Sequence, residues 1–508
     1  EDQDFFRFSG IFRDVYLYTV PKTHIKDLKI ETLLDDEYVD ANLKLTIKVR
    51  GEGSAGITLL DEGDEIFSEK EDLAEEITFE YPVKDPLKWS AEDPNLYDLR
   101  IEVYDKSGEL TEIVCEKIGF RRFELIDRIM CLNGKRIIFH GVNRHEFSAD
   151  NGRCVRYDDI LKDIITMKRN NINAIRTSHY PNRTDLYRLC DLYGIYMIDE
   201  TNMETHGIWD SIVRGINDIS YSVPGDRPEY REMVLDRARS VYERDKNHPA
   251  ILIWSLGNES FGGSIFKEMH DLFHELDSGR LVHYEGCSFD RDDRYPESSD
   301  MYTTMYHTVE QIKEYLKDHR EKPYINCEYS HAMGNSCGAM HWYTDLTHEE
   351  ELYQGGFIWD YIDQSMTLKD RYGVEFQAYG GDFDDRPNDG SFSGDGIVYA
   401  KDRDPSPKMQ EVKYNYQNIR ISFDGDDVVI KNDNLFTNLS SYRCEILAEK
   451  EGKTINKQEG RVEVKPQSER RIPLTLDVPD DGDEYVITVS FKTDSDELWA
   501  KAGHEVAY

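Results

Sequence analysis

The sequence predicts a multidomain α/β plus all-β fold, with a central (β/α)8 barrel flanked by two immunoglobulin-like β-sandwich domains. Three observations lead to this prediction. The chain has 508 residues, which is too many for one ordinary hydrophobic core. Both ends contain short runs in which apolar and polar residues alternate. The middle instead alternates short apolar runs with amphipathic helical stretches.

The two predicted sandwiches occupy residues 22–122 and 418–508. Residues 41–49, with the sequence ANLKLTIKV, alternate apolar and polar side chains as a strand with one buried face does. Residues 427–431 and 484–491 form comparable runs in the second sandwich. Neither segment contains a recognisable catalytic motif, so both are expected to support the middle of the chain.

The predicted barrel occupies residues 123–417. Eight apolar runs are its candidate strands, at 137–145, 173–179, 196–202, 251–259, 281–286, 300–306, 324–330 and 355–363. Helical stretches lie between several of them, at 158–170, 184–193, 228–246 and 309–319. Eight strands with intervening helices favour a barrel. A doubly wound sheet is the alternative, but no glycine-rich phosphate turn follows the first strand.

The charge balance and the cysteines bear on partners and compartment. With 101 acidic and 62 basic residues the net charge is −39, which argues against nucleic acid or an anionic membrane as a partner. No run approaches the roughly 18 apolar residues of a membrane-spanning helix. The 8 cysteines are scattered without a C-x-x-C pair, which indicates reduced thiols and a cytoplasmic location.

Functional side chains end or follow nearly every candidate strand of the barrel. They are His145, Arg176, His179, Glu200, Asn202, Glu204, His206, Asn258, Glu259, Tyr306, Glu328, Trp359, Asp360 and Asp363. The carboxyl ends of barrel strands meet at one rim, where barrel enzymes carry their active sites. We therefore expect a polar active site at this rim.

Two of these carboxylates, Glu259 and Glu328, end the fourth and seventh candidate strands and are expected to face each other across the barrel. Hydrolysis of a glycosidic bond needs such a pair, one to protonate the leaving oxygen and one to attack the anomeric carbon. A separation of about 5 Å gives retention of configuration. Either residue alone is equally well read as a loop carboxylate in a surface ion pair, but the two together predict a glycosidase.

Several ordered motifs carry a family resemblance. They are SGIFRD at 9–14, GVNRHE at 141–146, RTSHYP at 176–181, DETNMETHG at 199–207, NHP at 247–249, GNES at 257–260, CEYSHAMGN at 327–335 and GGDF at 380–383. On these motifs the chain resembles glycoside hydrolase family 2, and within it the lactose-hydrolysing β-galactosidases. The resemblance covers nearly the whole chain.

The resemblance implies hydrolysis of terminal β-D-galactose residues through a covalent galactosyl-enzyme intermediate. Glu328 would be the nucleophile, Glu259 the acid/base, and Tyr306 would hydrogen-bond the nucleophile. The implied substrate-binding residues are Asp4, His145, Arg176, His179, Asn258, His331 and Trp359. Without the resemblance, a single histidine here is more often a structural hydrogen bonder, and a tryptophan on the eighth strand is more often part of the core.

Two metal sites are implied as well. Glu204, His206 and Glu259 would hold Mg²⁺, although on the residues alone a glutamate and a histidine are weak evidence because Mg²⁺ prefers oxygen ligands. Asp4, the backbone of Phe392, and Asp395 would hold Na⁺ or K⁺. Asp395 departs from the asparagine known in the family, but it keeps a hard oxygen ligand.

The resemblance also bears on domains and partners. Residues 1–21 would close an N-terminal jelly-roll sugar-binding domain that is mostly absent here. The chain stops where the large subunit of two-chain β-galactosidases stops, so a small subunit or a missing C-terminal domain would complete the site. An oligomer is expected.

Three alternatives remain at the level of sequence. A β-glucuronidase would use the same two glutamates, but it needs cationic residues for the sugar carboxylate. A non-catalytic carbohydrate-binding scaffold would not need both Glu259 and Glu328. An assembly subunit that uses its β-domains as interfaces is compatible with enzymatic activity.

Overall fold

The first sandwich consists of two antiparallel sheets. In a computed structural model, which describes residues 5–288, 294–479 and 481–508, its strands are β1 (His24–Leu34), β2 (Ala41–Arg50), β3 (Gly53–Asp61), β4 (Asp64–Leu73), β5 (Glu76–Val83), β6 (Tyr97–Asp105) and β7 (Leu110–Ile118). The sheet orders are β1-β2-β5 and β4-β3-β6-β7. Along β2 buried and partly exposed residues alternate, so its apolar side chains enter the core between the sheets.

The barrel follows a small antiparallel sheet. That sheet contains β8 (Phe123–Ile126), β9 (Ile129–Leu132) and β10 (Lys135–Arg136). The barrel strands are β11 (Phe139–Asn143), β12 (Ala174–Arg176), β13 (Tyr196–Glu200), β14 (Ile251–Ser255), β15 (Leu281–His283), β16 (Tyr302–Met305), β17 (Tyr324–Tyr329) and β18 (Tyr353–Ile358). All of their ladders are parallel, and β11 lies between β12 and β18. Because the first barrel strand, β11, pairs with the last, β18, this order confirms the predicted barrel over the doubly wound sheet.

Helices connect and cover these strands. They are α1 (Tyr157–Arg169), α2 (Thr184–Tyr193), α3 (His206–Val213), α4 (Arg231–Asp245), α5 (Ser264–Leu276), α6 (Val309–Asp318), α7 (His341–Glu349) and α8 (Lys408–Asn415). Every residue of β11, β13, β14, β17 and β18 is buried, as expected for parallel strands covered by helices. Within the described ranges, none of the helices is long and apolar enough to cross a membrane.

One junction of the barrel lacks a ladder. The sheet order begins at β15 and ends at β16, and within the described residues no ladder pairs these two strands. The Asp300 amide donates to the Val282 carbonyl at 2.8 Å. His283 Nε2 lies 2.9 Å from Thr303 Oγ1. We call this junction the β15–β16 seam.

The remaining elements complete the second sandwich. A hairpin of β19 (Met366–Lys369) and β20 (Glu375–Ala378) precedes it. Its strands are β21 (Ile419–Asp424), β22 (Asp427–Asn432), β23 (Tyr442–Lys450), β24 (Lys453–Gly460), β25 (Ser468–Pro473), β26 (Val486–Thr493) and β27 (Glu505–Ala507). The sheet orders are β21-β22-β25 and β24-β23-β26-β27, so the predicted second sandwich is confirmed.

Several boundaries differ from the sequence expectation. Three strands are shorter than expected: β11 ends before His145, β12 before His179, and β18 before Trp359. These three residues lie in the loops that follow. The expectation that Trp359, Asp360 and Asp363 lie on the eighth strand is therefore wrong. Apolar runs at a barrel rim continue beyond the ladder because the loop residues at the mouth are buried too.

A buried ion network ties α1 to the barrel. Asp163 on α1 is fully buried, and its Oδ2 accepts from Arg144 Nη2 at 2.8 Å. Arg403 Nη1 donates to Asp163 Oδ1 at 2.7 Å. Arg144 also donates to Asn182 Oδ1 at 2.7 Å. One carboxylate thus compensates two guanidinium groups from distant parts of the chain.

Replacing Asp163 by alanine is expected to lower the free energy of unfolding by about 3–5 kcal/mol, because two buried guanidinium groups lose their carboxylate. Chemical denaturation followed by circular dichroism measures this change. Asp158→Ala, at an exposed position of the same helix, is the matched control and should change stability by less than about 0.5 kcal/mol. Equal effects of the two substitutions would contradict the role given to the network.

Candidate active site

Arg176, at the end of β12, lies at the centre of the rim. Its side chain is fully buried and all five N–H groups have protein acceptors. Nε donates to Glu200 Oε2 at 2.7 Å, and Nη2 donates to Glu200 Oε1 at 3.1 Å. Nη1 donates to Asn143 Oδ1 at 3.0 Å and to Glu328 Oε1 at 2.9 Å. Nη2 also donates to Asn258 Oδ1 at 3.0 Å. The structure therefore directs Arg176 at neighbouring side chains, which makes it a positioning residue in this geometry.

Glu328, on β17, is held from two sides. Its Oε1 accepts from Arg176, and its Oε2 accepts from the Tyr306 hydroxyl at 2.7 Å. Burial raises the pKa of Glu328 to about 7; Arg176 lowers it, the charge of Glu259 raises it, and the Tyr306 hydrogen bond lowers it. A carboxylate fixed by two donors and removed from water can attack an electrophile in one defined orientation.

Glu259 follows β14 and has a φ of +31°, a left-handed conformation that is uncommon for a residue other than glycine. Its amide donates to Glu285 Oε1 at 2.7 Å. Its carboxylate Oε2 lies 2.6 Å from Nδ1 of His206. Such backbone conformations are concentrated at functional sites, where the surroundings hold the side chain in place.

The three residues of the predicted Mg²⁺ site converge in the structure. Glu204, His206 and Glu259 each offer a ligand atom, and these atoms all lie within 4.8 Å of one another. Glu204 Oε1 accepts from Asn258 Nδ2 at 2.8 Å, while Oε2 is buried without a hydrogen-bond partner among the described residues. Burial, with the charge of Glu259, raises the pKa of Glu204 well above its usual range. A buried carboxylate oxygen without a donor fits a bound cation.

Trp359 and two histidines form one wall of the site. The rings of His179 and Trp359 stack at 5.2 Å with 8° between their planes. His145 meets Trp359 edge-on at 5.4 Å. His179 Nδ1 lies 2.8 Å from Glu200 Oε1, whereas His145 Nε2 is buried without a hydrogen-bond partner among the described residues. Burial lowers the pKa of both imidazoles well below the usual range, so both are neutral groups that can bond hydroxyls.

The predicted monovalent cation site is described in part. Asp4 lies outside the described residues. Asp395 is buried, and its Oδ2 accepts from the Trp359 indole N–H at 3.2 Å. Burial, and then the charge of Asp395, raise the pKa of Asp360 well above its usual range. Phe392 lies in a 3-10 turn, and its ring contacts that of His331 at 5.5 Å. The structure thus places Asp395 beside Trp359 and near Asp360.

Sequence reasoning missed several residues that position this site. Asn143 accepts a hydrogen bond from Arg176, and Ser255 donates one to Glu200. Glu285 accepts from the Glu259 amide. All three end or follow barrel strands, so the rim rule alone could have identified them. Their short or common side chains carry no motif signal of their own.

One carboxylate that follows the fourth strand and one on the seventh strand of a (β/α)8 barrel define a site of the glycoside hydrolase type. The chain belongs to glycosyl hydrolase family 2, because the model of the family's TIM-barrel domain matches residues 123–421. The general family 2 model matches residues 23–121, and a model described as β-galactosidase domain 4 matches residues 428–508. These matches confirm the resemblance stated from the motifs.

Individual relatives agree with the family. The chain is 49% identical to a β-galactosidase from Halalkalibacterium halodurans, over 100% of this chain and 50% of the relative. It is 46% identical to the β-galactosidase large subunit of Latilactobacillus sakei, over 82% of this chain and 66% of the relative. The chain thus spans about half the length of the first of these relatives.

A solved β-glucuronidase from Bacteroides uniformis superposes with a TM-score of 0.66 and 18% identity, over 96% of this chain and 64% of that one. At this identity the likeness concerns the fold.

The raised pKa of Glu328 predicts that removing this carboxylate stabilises the protein at alkaline pH. The native state binds the proton of Glu328 more tightly than the unfolded state does. Protonation therefore contributes stability that is fully present below pH 4.5 and is lost as the pH rises through about 7. At about 1.4 kcal/mol per pKa unit, the buried charge costs about 3 kcal/mol at pH 8. Glu328→Gln should therefore be about 3 kcal/mol more stable than the wild type at pH 8, and nearly equal at pH 4.

Chemical denaturation at both pH values, without divalent cations, measures this difference. The exposed Glu310→Gln on α6 is the control and should leave stability unchanged at either pH. A Glu328→Gln variant less stable than the wild type at pH 8 would show that hydrogen bonding to Arg176 and Tyr306 outweighs the cost of burying the charge.

Proposed function

We propose that this chain carries the catalytic centre of a retaining β-galactosidase that hydrolyses terminal non-reducing β-D-galactose residues of lactose and related galactosides. The observation that carries the proposal is the placement of Glu328 between Arg176 and Tyr306, on the same rim as Glu259. The names of the relatives at 46–49% identity support galactose as the sugar.

In the first step Glu328 attacks the anomeric carbon while Glu259 protonates the leaving glycosidic oxygen, which gives a galactosyl-enzyme ester and a free aglycone. Arg176 and the Tyr306 hydroxyl hold the two oxygens of Glu328 and stabilise its ionised form. In the second step Glu259, now a carboxylate, removes a proton from water. The water attacks the same carbon and releases Glu328, so the configuration is retained.

Asn258 precedes the proposed acid/base, Glu259, and contacts Arg176, which holds the proposed nucleophile. Its amide oxygen accepts from Arg176 and its amide nitrogen donates to Glu204, so its side chain is fixed next to Glu259. We propose that it bonds the sugar 2-hydroxyl, and that His145, His179 and His331 bond further hydroxyls. Trp359, stacked on His179, would support the sugar ring.

Glu204, His206 and Glu259 would hold Mg²⁺, as the buried, unbonded Oε2 of Glu204 supports. When bound, the ion would supply positive charge that compensates Glu204 and orients Glu259.

Asp395, with the backbone of Phe392 and Asp4, would hold Na⁺ or K⁺. The buried carboxylate of Asp395 beside Trp359 also disfavours the carboxylate of a glucuronide at this end of the site, because like charges repel.

We further propose a partner chain or additional domain, because relatives such as the large subunit from Latilactobacillus sakei are parts of larger assemblies by name. Within the described residues none of the 8 cysteines forms a disulfide, and we propose a reducing, cytoplasmic environment. Assembly into an oligomer stays a prediction.

The activity is tested with p-nitrophenyl β-galactoside beside the glucoside and the glucuronide, with Mg²⁺, alone and with a candidate small subunit. We expect galactoside cleavage with retention of configuration, observed by NMR of the first sugar anomer released. Glu328→Gln should abolish it. Glu259→Gln should lower kcat/KM by about 10²–10⁴-fold for lactose and less for an activated aryl leaving group, which needs little protonation.

Glu310→Gln, an exposed substitution, should leave all rates unchanged. Cleavage of the glucuronide in preference to the galactoside would favour the alternative function. Binding of galactose without cleavage of any substrate, even with a partner present, would favour the carbohydrate-binding scaffold.

The Mg²⁺ assignment predicts that Glu204→Gln raises the Mg²⁺ concentration for half-maximal activity by about 10-fold or more, because a charged ligand becomes neutral. Titration of activity with Mg²⁺ after chelator treatment measures this. Glu229→Gln, at an exposed position outside the site, is the control. An unchanged half-maximal concentration in Glu204→Gln would remove Glu204 from the proposed site.

A further inference from the structure

A second group of ligand-type side chains lies away from the active-site rim. His270 and His274 stand one turn apart on α5 and face Asp300, which precedes β16. His270 Nε2 lies 3.2 Å from Asp300 Oδ1, and His274 Nε2 lies 2.9 Å from Asp300 Oδ2. We call these three residues the α5 cluster. None of them belongs to the proposed catalytic or Mg²⁺ residues.

The spacing of the α5 cluster matches a metal coordination sphere. One ligand atom from each residue lies within 4.8 Å of the other two. Ligands at about 2.0–2.1 Å from a tetrahedral ion stand about 3.3 Å apart, close to the two measured nitrogen–oxygen distances. Positions i and i+4 of a helix present both imidazoles on one face. The rings are 4.6 Å apart at 64°, so they converge on Asp300 without stacking on each other.

The surroundings hold these ligands in the orientation that binding needs. The second ring nitrogen of His270, Nδ1, lies 3.1 Å from Asp271 Oδ1. A carboxylate behind a ligating imidazole is the usual outer support of a protein metal site. The Val282 amide donates to Asp300 Oδ2 at 2.7 Å and fixes that carboxylate. His274 is 35% exposed, which leaves a side open for the entry of an ion and for a water ligand.

We propose that His270, His274 and Asp300 bind a transition-metal ion, with Zn²⁺ as the ion that best fits two imidazoles and one carboxylate. Zn²⁺ takes nitrogen and oxygen ligands in tetrahedral sites, with water in the fourth position where the protein supplies three. Two imidazoles disfavour Mg²⁺ and Ca²⁺, which prefer oxygen ligands. The α5 cluster therefore differs in ion preference from the site at Glu204.

The position of the α5 cluster indicates what the ion does. Asp300 and Val282 form the backbone contact across the β15–β16 seam, where the described residues show no ladder. An ion bound to α5 and Asp300 joins the helix to this seam by coordinate bonds. Because only the folded chain assembles the three ligands, binding stabilises the native state.

The test is thermal unfolding of the full chain in excess Mg²⁺, with and without Zn²⁺ at about 100 times its dissociation constant. We expect Zn²⁺ to raise Tm by about 2–4 °C in the wild type. The rise should be lost in His274→Ala and in Asp300→Asn, which keeps an acceptor for the Val282 amide. His319→Ala removes an exposed histidine elsewhere and should keep the full rise.

A direct count of bound ions separates this site from the one at Glu204. Co²⁺ replaces Zn²⁺ in such sites, and equilibrium dialysis together with its visible absorption gives the number bound. The wild type and His319→Ala should bind one Co²⁺ more than His274→Ala does. An equal count, or an equal Zn²⁺ rise in all variants, would overturn the proposal. Absence of any Zn²⁺ effect would mean that the α5 cluster is a hydrogen-bonded His–Asp–His clasp only.

Discussion

The buried charge of Arg176 is the constraint on which the rest of the site depends. A guanidinium removed from water is tolerated only with carboxylates and acceptors that satisfy its N–H groups. Glu200 and Glu328 supply the charge, and Asn143 and Asn258 supply amide oxygens. These partners come from β11, β13, the loop after β14, and β17. One side chain thus connects residues from four neighbouring parts of the rim, and Glu328, the proposed nucleophile, is one of its partners.

This arrangement explains why the rim could be predicted from the sequence. Parallel strands buried on both faces read as apolar runs, and their carboxyl ends meet at one edge, so Glu259 and Glu328 could be assigned to one site. The convergence of Glu204, His206 and Glu259 followed only from the family resemblance. Nothing in their spacing alone states that a helix begins at His206 with its imidazole turned toward Glu259.

Other features could not be predicted because they depend on how loops and helices meet in space. The stacking of His179 on Trp359 joins loops 180 residues apart in sequence, and no local pattern encodes it. The α5 cluster likewise could not be predicted from a local sequence pattern. His270 and His274 are visible as an i, i+4 pair, but Asp300 joins them only through the contact of its loop with α5. Apolar periodicity reports which face is buried, not which polar side chain it meets.

The β15–β16 seam lies between the two carboxylates that we propose as catalytic. Glu259 follows β14, the neighbour of β15, and Glu328 lies on β17, the neighbour of β16. The shorter path around the ring from Glu259 to Glu328 therefore crosses the one junction that ladder hydrogen bonds do not span in the described residues. The gap in the ladder thus lies on the shorter path between the proposed acid/base and the proposed nucleophile. The backbone contact between Asp300 and Val282 therefore joins the half of the barrel that carries Glu259 to the half that carries Glu328 along this shorter path.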